Sequence, residues 1–403
     1  MAFEYININI KTLKMDTRIV LDELKKPSIK RLLPALISLS VSVIFLIILL
    51  ILRTNSAVCE SITRNVTLKM NAWAGASSGK VSFSVFETFL IVAVALLILF
   101  VIRIIALLAT KRGFFALRTL IVLFSLATLF GCYYLFTAGF AYNRALLPIY
   151  CEENPDYYEF YEAVKYFKND YDVLSEKFAR DENGSVISPY TLDELGEIFR
   201  KEYSRILGEE VFSFDCKPLK LLSGYFTKTG ITGITFTPTG DCGLNVYQPP
   251  SELTGTAAHE AAHSLGIMRE RDANVISCYL LISSDDDYLR YCGYYNYYGY
   301  LLNALALNYE KNEYAAVYPS YLVLKEADYQ AKFWASQKSF LDEVGDFFNS
   351  LYLKMSGVKE GTANYYSHTI SGDEYVQGDR TFVKVEYNEF QRAFLRVYYD
   401  SLE

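Results

Sequence analysis

Two histidines and a glutamate at fixed spacing, in Gly255-Thr256-Ala257-Ala258-His259-Glu260-Ala261-Ala262-His263-Ser264-Leu265-Gly266, are the residues of this sequence best suited to chemistry. Residues four apart on a helix stand one turn apart on the same face, so His259 and His263 would offer two imidazole nitrogens to one metal ion. Glu260 would project beside that ion. A carboxylate there takes a proton from a metal-activated water and later returns it to a leaving amine, as zinc-assisted hydrolysis of a peptide bond requires. The small residues Ala257, Ala258, Ala261 and Ala262 favour helix and let a neighbouring element approach closely. A helix that merely packs two histidines would give the same pattern, but the chain has only three histidines and places two of them here.

Two imidazoles need a third protein ligand if one position is to stay open for water. Gly266 suits the left-handed end of a helix. Arg269 to Ile276 then predicts a second helix, on which Glu270 and Asn274 share a face. Glu270 is the expected third ligand, with Asn274 one turn on to hydrogen-bond a ligating imidazole. Asp272, two residues from Glu270, faces about 200° away from it and is expected to turn to Arg269 or Arg271.

His-Glu-x-x-His followed by Glu-x-x-x-Asn resembles the gluzincin metallopeptidases, and the resemblance implies the third-ligand role of Glu270. The wider run of Gly224-Tyr225-Phe226, Gly230 to Gly233, His259 to Asn274 and Arg290 to Tyr294 is similar to a family of bacterial integral membrane proteins carrying a domain of unknown function. Those proteins have a few N-terminal spans and a gluzincin-like domain. Cys292 stands where that pattern has serine, and Asp272 where it has glutamate. The resemblance implies an α+β, mostly α fold with a small β-hairpin or sheet, Zn2+ as cofactor, and a multi-pass place in the bacterial cell membrane. Tyr294, where the likeness is close, becomes a candidate donor to the reacting carbonyl. So does His368, because some gluzincins use a distant histidine to stabilise the oxyanion.

Composition and charge agree with a membrane protein. The 403 residues are 52% hydrophobic with mean hydropathy +0.13, too apolar for an ordinary two-domain soluble chain. Residues 1–144 carry 16 Lys+Arg against 6 Asp+Glu, leaving 23 against 40 for residues 145–403. Leu32 to Leu52 has 21 residues without a charge, enough to cross a hydrocarbon core of about 30 Å. Further spans are expected at 86–108 and 119–143, joined by a basic loop from Arg103 to Arg118, with residues 53–85 as an outer loop. Seven basic residues precede the first span, so residues 1–31 are expected to be cytoplasmic and residues 145–403 extracytoplasmic.

In the soluble part, Pro155 to Arg180 reads as an amphipathic helix, and Thr191-Leu192-Asp193-Glu194 as a capping box. Leu222 to Tyr247, punctuated by five glycines, predicts short strands and turns, one of them a candidate edge for extended substrate. Helices are expected over Asp285–Leu307, Tyr321–Met355 and Glu386–Leu402. Six cysteines would lie outside the membrane, a number that permits disulfides without requiring them. There is no phosphate-binding glycine loop, no extended repeat and no basic-aromatic surface, and the acidic soluble part excludes nucleic acid as a partner. The partners expected are the lipid bilayer and a peptide or protein substrate. The alternative is a non-catalytic zinc-binding domain that docks on a cell-envelope partner.

Overall fold

The computed structural model describes residues 29–144, 151–212, 214–337 and 370–403; His368, Asn364 to Ser367 and the expected helix beyond Gln337 lie outside them. The fold is mostly helical with small sheets. From the N-terminal side come α1 (Ile29–Leu52), α2 (Ser56–Ile62), a π turn at Thr63–Thr67, α3 (Leu68–Ser78), α4 (Val85–Ala109) and α5 (Gly113–Tyr134), which continues as a π segment to Gly139. Three of these helices are long and apolar enough to cross a membrane: α1, α4, and α5 with its extension.

The chain forms two compact units, one within residues 1–51 and 92–133, the other of residues 52–91 and 134–403. In the first, the Cys132 thiol lies 3.8 Å from the Ser42 carbonyl, and the Arg103 Nε donates to Thr119 Oγ1 at 3.3 Å. The loop expected over Arg103–Arg118 is therefore only Thr110–Arg112, and the third apolar helix begins at Gly113 instead of Thr119. An uncharged run that starts after Arg118 misses this boundary, because a long basic side chain can carry its charged head out of an apolar helix while its backbone stays helical.

The connection between the first two apolar helices, residues 53–85, contains α2 and α3, helices that were not assigned from the sequence. Asn55 caps α2, its Oδ1 accepting the amides of Ala57 and Val58 at 3.0 and 3.1 Å. These helices belong to the second unit. There follow α6 (Tyr157–Lys177), α7 (Leu192–Leu207), β1 (Cys216–Pro218), α8 (Ser223–Lys228), β2 (Gly233–Phe236), β3 (Asp241–Leu244), α9 (Pro250–Ser264), α10 (Glu270–Ile282), α11 (Asp287–Leu305), α12 (Lys311–Val317) and α13 (Tyr321–Gln337). The hairpin β4 (Ile370–Gln377) and β5 (Arg380–Glu386) leads into α14 (Glu389–Asp400). The expected capping box at Thr191 is present, with its hydroxyl accepting from the Glu194 amide and the Glu194 carboxylate accepting from the Thr191 amide.

The three-stranded sheet has the order β1-β3-β2, with β1 parallel and β2 antiparallel to β3. Cys216 and Cys242 are register partners across β1 and β3, buried, with their sulfurs 3.6 Å apart as free thiols. The main core is aromatic. Tyr288, Tyr291, Tyr294 and Tyr298 of α11 are buried beside Phe160, Phe167 and Tyr171 of α6 and Phe394 of α14. A buried phenol needs a hydrogen-bond partner, and each of these has one: Thr254, Glu326, Asp170 and the Val317 carbonyl in turn. The tyrosine-rich stretch is thus packing, and it fixes α11 against α9 and α10.

Candidate metal centre

Helix α9 starts as its sequence dictates, with Pro250 at a position where the missing amide costs nothing. Its first turn is held by Ser251 Oγ, which donates to the buried Glu326 carboxylate at 2.7 Å, while Arg180 pairs with the same carboxylate at 2.8 Å. Ala257, Ala258, Ala261 and Ala262 are fully buried, so the helix lies close against its neighbours. Side chains also hold its carbonyls: Tyr203 donates to Ala258 at 2.8 Å, Thr235 to Glu260 at 2.7 Å, and Asn71 of α3 to Ser264 at 3.4 Å.

Gly266 ends the helix at φ +73°, a conformation that costs other L-residues about 1–2 kcal/mol. The amide of Ile267 returns to the Ala262 carbonyl at 3.1 Å, closing the turn. That turn has a second result. It carries the Ile267 carbonyl to the His263 Nδ1 at 2.8 Å, where the ring N–H donates to it. The Nε2 lone pair of His263 is thereby aimed the other way, as a metal-ligating imidazole requires. Arg144 braces the turn, with its Nη1 donating to the Gly266 carbonyl at 3.4 Å and its other nitrogens forking onto Glu60 of α2 at 3.0 and 3.1 Å.

Four residues after Gly266 the chain enters α10 with Glu270 as its first residue. The Glu270 Oε2 lies 3.1 Å from His259 Nε2 and 3.5 Å from His263 Nε2. One ligand atom from each of His259, His263 and Glu270 falls within 4.8 Å of the others. Burial alone would push the Glu270 carboxyl up, but His263 and His259 outweigh it and hold the carboxyl far below its ordinary range. Burial likewise disfavours the His263 imidazolium, yet Glu270, and to a lesser degree Glu260, raise its pKa to about 9. The cluster therefore stabilises a positive charge between two imidazoles and a carboxylate. Two nitrogens and one carboxylate oxygen are the donor set of a catalytic zinc site that keeps a position open.

Glu260 is buried beside this cluster, and its Oε2 has no hydrogen-bond partner. An unsatisfied buried carboxylate oxygen costs free energy and needs an explanation in what the site does. Strand β2 lies against it. A Cβ placed on Gly233 would stand 2.8 Å from Glu260 Cγ and 2.7 Å from Thr256 Cγ2, so only glycine lets the strand approach this closely. We expect Gly233→Ala to displace the Glu260 carboxylate and to lower any hydrolytic rate by about 10²-fold, the penalty of a misplacement near 1 Å. Metal content should be unchanged, which elemental analysis alongside a rate assay would check.

Asp272 turns to Arg269, 2.7 Å away, and takes no part in the cluster. Asn274 is placed differently from expectation. Its side chain bonds neither imidazole: His263 Nδ1 is taken by Ile267, and His259 Nδ1 has no partner. Tyr294 is also not at the cluster. Its hydroxyl donates to Asp170 at 2.9 Å and its ring packs with Phe167, Tyr171 and Phe394, so it serves the core. Sequence reasoning named Gly233 in the strand segment without its contact to Glu260, and gave no supporting role to Thr235, Asn71 and Arg144. Only Gly233 left a signal, as a glycine inside the alternating run Ile231 to Phe236.

No curated protein and no solved structure matches the chain. A family model described as "Protein of unknown function (DUF3810)" matches residues 63–370, which takes in α3, α4, α5 and the whole His259–Glu270 cluster. The chain belongs to that family of proteins of unknown function.

Proposed function

We propose that this chain is a membrane-anchored zinc metallopeptidase that hydrolyses peptide bonds, with its soluble part on the extracytoplasmic side. The observation that carries this reading is the convergence of His259 Nε2, His263 Nε2 and Glu270 Oε2 beside the unpartnered carboxylate oxygen of Glu260. Zinc bound by these three residues would supply Lewis acidity, polarising a carbonyl and lowering the pKa of water to about 7.

The chain's own residues do the rest. Glu260 takes the proton of the attacking water and returns it to the leaving amine. Ile267, through its carbonyl, holds the His263 tautomer, and Gly233 sets the distance between the strand and the Glu260 carboxylate. Strand β2 is an edge of its sheet, pairing only with β3 among the described residues, and an edge strand is the element that an extended peptide pairs with. A purely structural metal site would have no use for a buried carboxylate without a partner, which weighs against the reading as a non-catalytic zinc domain.

Zinc-loaded full-length protein should cleave members of a broad peptide library, and failure to cleave any of them would remove the peptidase reading. The side of the membrane is tested separately. Protease added to intact cells should digest residues beyond 145, whereas protection until lysis would reverse the orientation.

A further inference from the structure

We infer, resting on the peptidase reading above, that the substrates of this site are membrane-tethered peptides, cut within a few residues of their anchor. The two faces of β2 carry the inference. Gly233 and Thr235 face α9, where Gly233 abuts Glu260 and Thr235 bonds its carbonyl. Ile234 and Phe236 face the other way, and the Phe236 ring lies 5.2 Å from Phe86 and 5.4 Å from Phe89. Those two phenylalanines belong to the first two turns of α4, a 25-residue helix with no charge between Glu87 and Arg103. One four-residue strand therefore separates the candidate catalytic carboxylate from the first turns of a helix long and apolar enough to cross a membrane.

The start of α4 is fastened to the sheet and its neighbours by buried polar contacts. Asp241 Oδ2, at the head of β3, accepts from the Phe86 amide at 2.6 Å and from Ser84 Oγ at 2.8 Å. Glu87 Oε1 accepts the amides of Leu221 and Leu222 at 2.9 and 2.8 Å. Phe86, Leu219 and Phe226 bury one another in a small core that Ile234 and Phe236 complete. The register between the sheet and the start of α4 is thus fixed by hydrogen bonds to carboxylates and by packing.

The outer surface of this junction suits a bilayer interface. Phe83 is 51% exposed just before α4, the side chain of Leu221, whose amide Glu87 holds, is 68% exposed, and Tyr225 on α8 is 46% exposed. Lys80 and Lys220 are exposed among them. Aromatic and apolar tips with lysines at the end of an apolar helix are the composition of a membrane-water boundary. At about 3.3 Å per residue, the strand from Gly233 to Phe236 spans about 10 Å, and an extended peptide covers that distance in about three residues. A scissile bond roughly three to six residues from a lipid anchor would reach Glu260.

The test uses full-length, zinc-loaded protein in phosphatidylcholine vesicles and a library of quenched fluorescent peptides in three forms: soluble, palmitoylated through a five-residue spacer, and palmitoylated through a 25-residue spacer. Both palmitoylated forms are concentrated at the bilayer, so they differ only in reach. The short-spacer form should be cleaved near its anchor and at least about ten-fold faster than the soluble form. Leu221→Ser with Tyr225→Ser should reduce that advantage and leave the soluble rate unchanged. Cleavage of the soluble and long-spacer forms with the short-spacer form resistant overturns the inference and leaves the peptidase reading standing. Absence of cleavage in all three overturns both. A readout free of activity accompanies it: in a Tyr225→Trp variant, brominated phosphatidylcholine should quench the added tryptophan beyond the loss seen in the parent protein, and no added quenching overturns the membrane contact.

Discussion

Replacing Glu260 with glutamine should lower peptide hydrolysis by about 10²–10⁴-fold and leave the zinc content of the protein unchanged, since a positioned general base contributes that much to a proton-transfer step. Glutamine keeps the shape of the side chain, so the packing of α9 against β2 should survive. The carboxylate is not among the three converging ligand atoms, and its Oε2 has no partner that the substitution would orphan. Rate and metal content must be read on the same preparation. Loss of zinc together with activity would place Glu260 among the ligands and contradict its assignment as base.

The second large effect is expected at Glu270. Its carboxylate lies between the two imidazoles, and Glu270→Ala removes one of three protein ligands. Zinc affinity should fall by more than the roughly 10–100-fold that follows loss of a supporting hydrogen bond. Glu270→Gln, which keeps the volume and removes the charge, distinguishes lost ligation from a collapsed helix start. Asp272→Ala is the control. Asp272 faces Arg269, so its loss should leave metal content near that of the parent protein. Retention of zinc in Glu270→Ala with loss in Asp272→Ala, measured by elemental analysis, would reverse the ligand assignment.

Sequence and structure agree where the determinant is local. A four-residue spacing puts His259 and His263 on one face, and Gly266 supplies the left-handed turn that returns the chain to Glu270. Hydrophobic runs located the three apolar helices, and 86–108 lies within a residue of Val85–Ala109 at each end; the third helix begins at Gly113, ahead of the expected residue 119, because Arg118 lies inside it. Non-local contacts were not legible. Tyr294 sits in a cluster of tyrosines whose roles depend on which helix faces them, and that helix proved to be α6, with Asp170 as the hydroxyl's partner. Asn274 has the right spacing from Glu270, but its reach to an imidazole depends on the angle between α9 and α10, which spacing does not specify.

Residues 53–85, expected as the outer connection, hold two helices that were not assigned from the sequence. They lack a strong apolar period, and the cap residue Asn55 is the local sign of α2. Their helices are stabilised by tertiary contacts, such as Asn71 on the Ser264 carbonyl and Glu60 on Arg144. At the end of the connection Ser84-Val85-Phe86-Glu87 is a capping-box sequence, and the Glu87 amide donates to Ser84 Oγ at 3.1 Å at the start of α4, next to the expected residue 86. The short strands β4 and β5 follow the same rule, their hairpin being held by Asn308, whose side chain bonds the backbone of Val383.

The measurement closest to the central claim is the metal content of the full-length protein purified in detergent and equilibrated with micromolar zinc. About one zinc per chain is expected, as the single His2Glu cluster among the described residues implies, with loss of that zinc in His263→Ala. A chain that binds no zinc above background, or binds it equally well without His263, would contradict the assignment of His259, His263 and Glu270 as a metal centre.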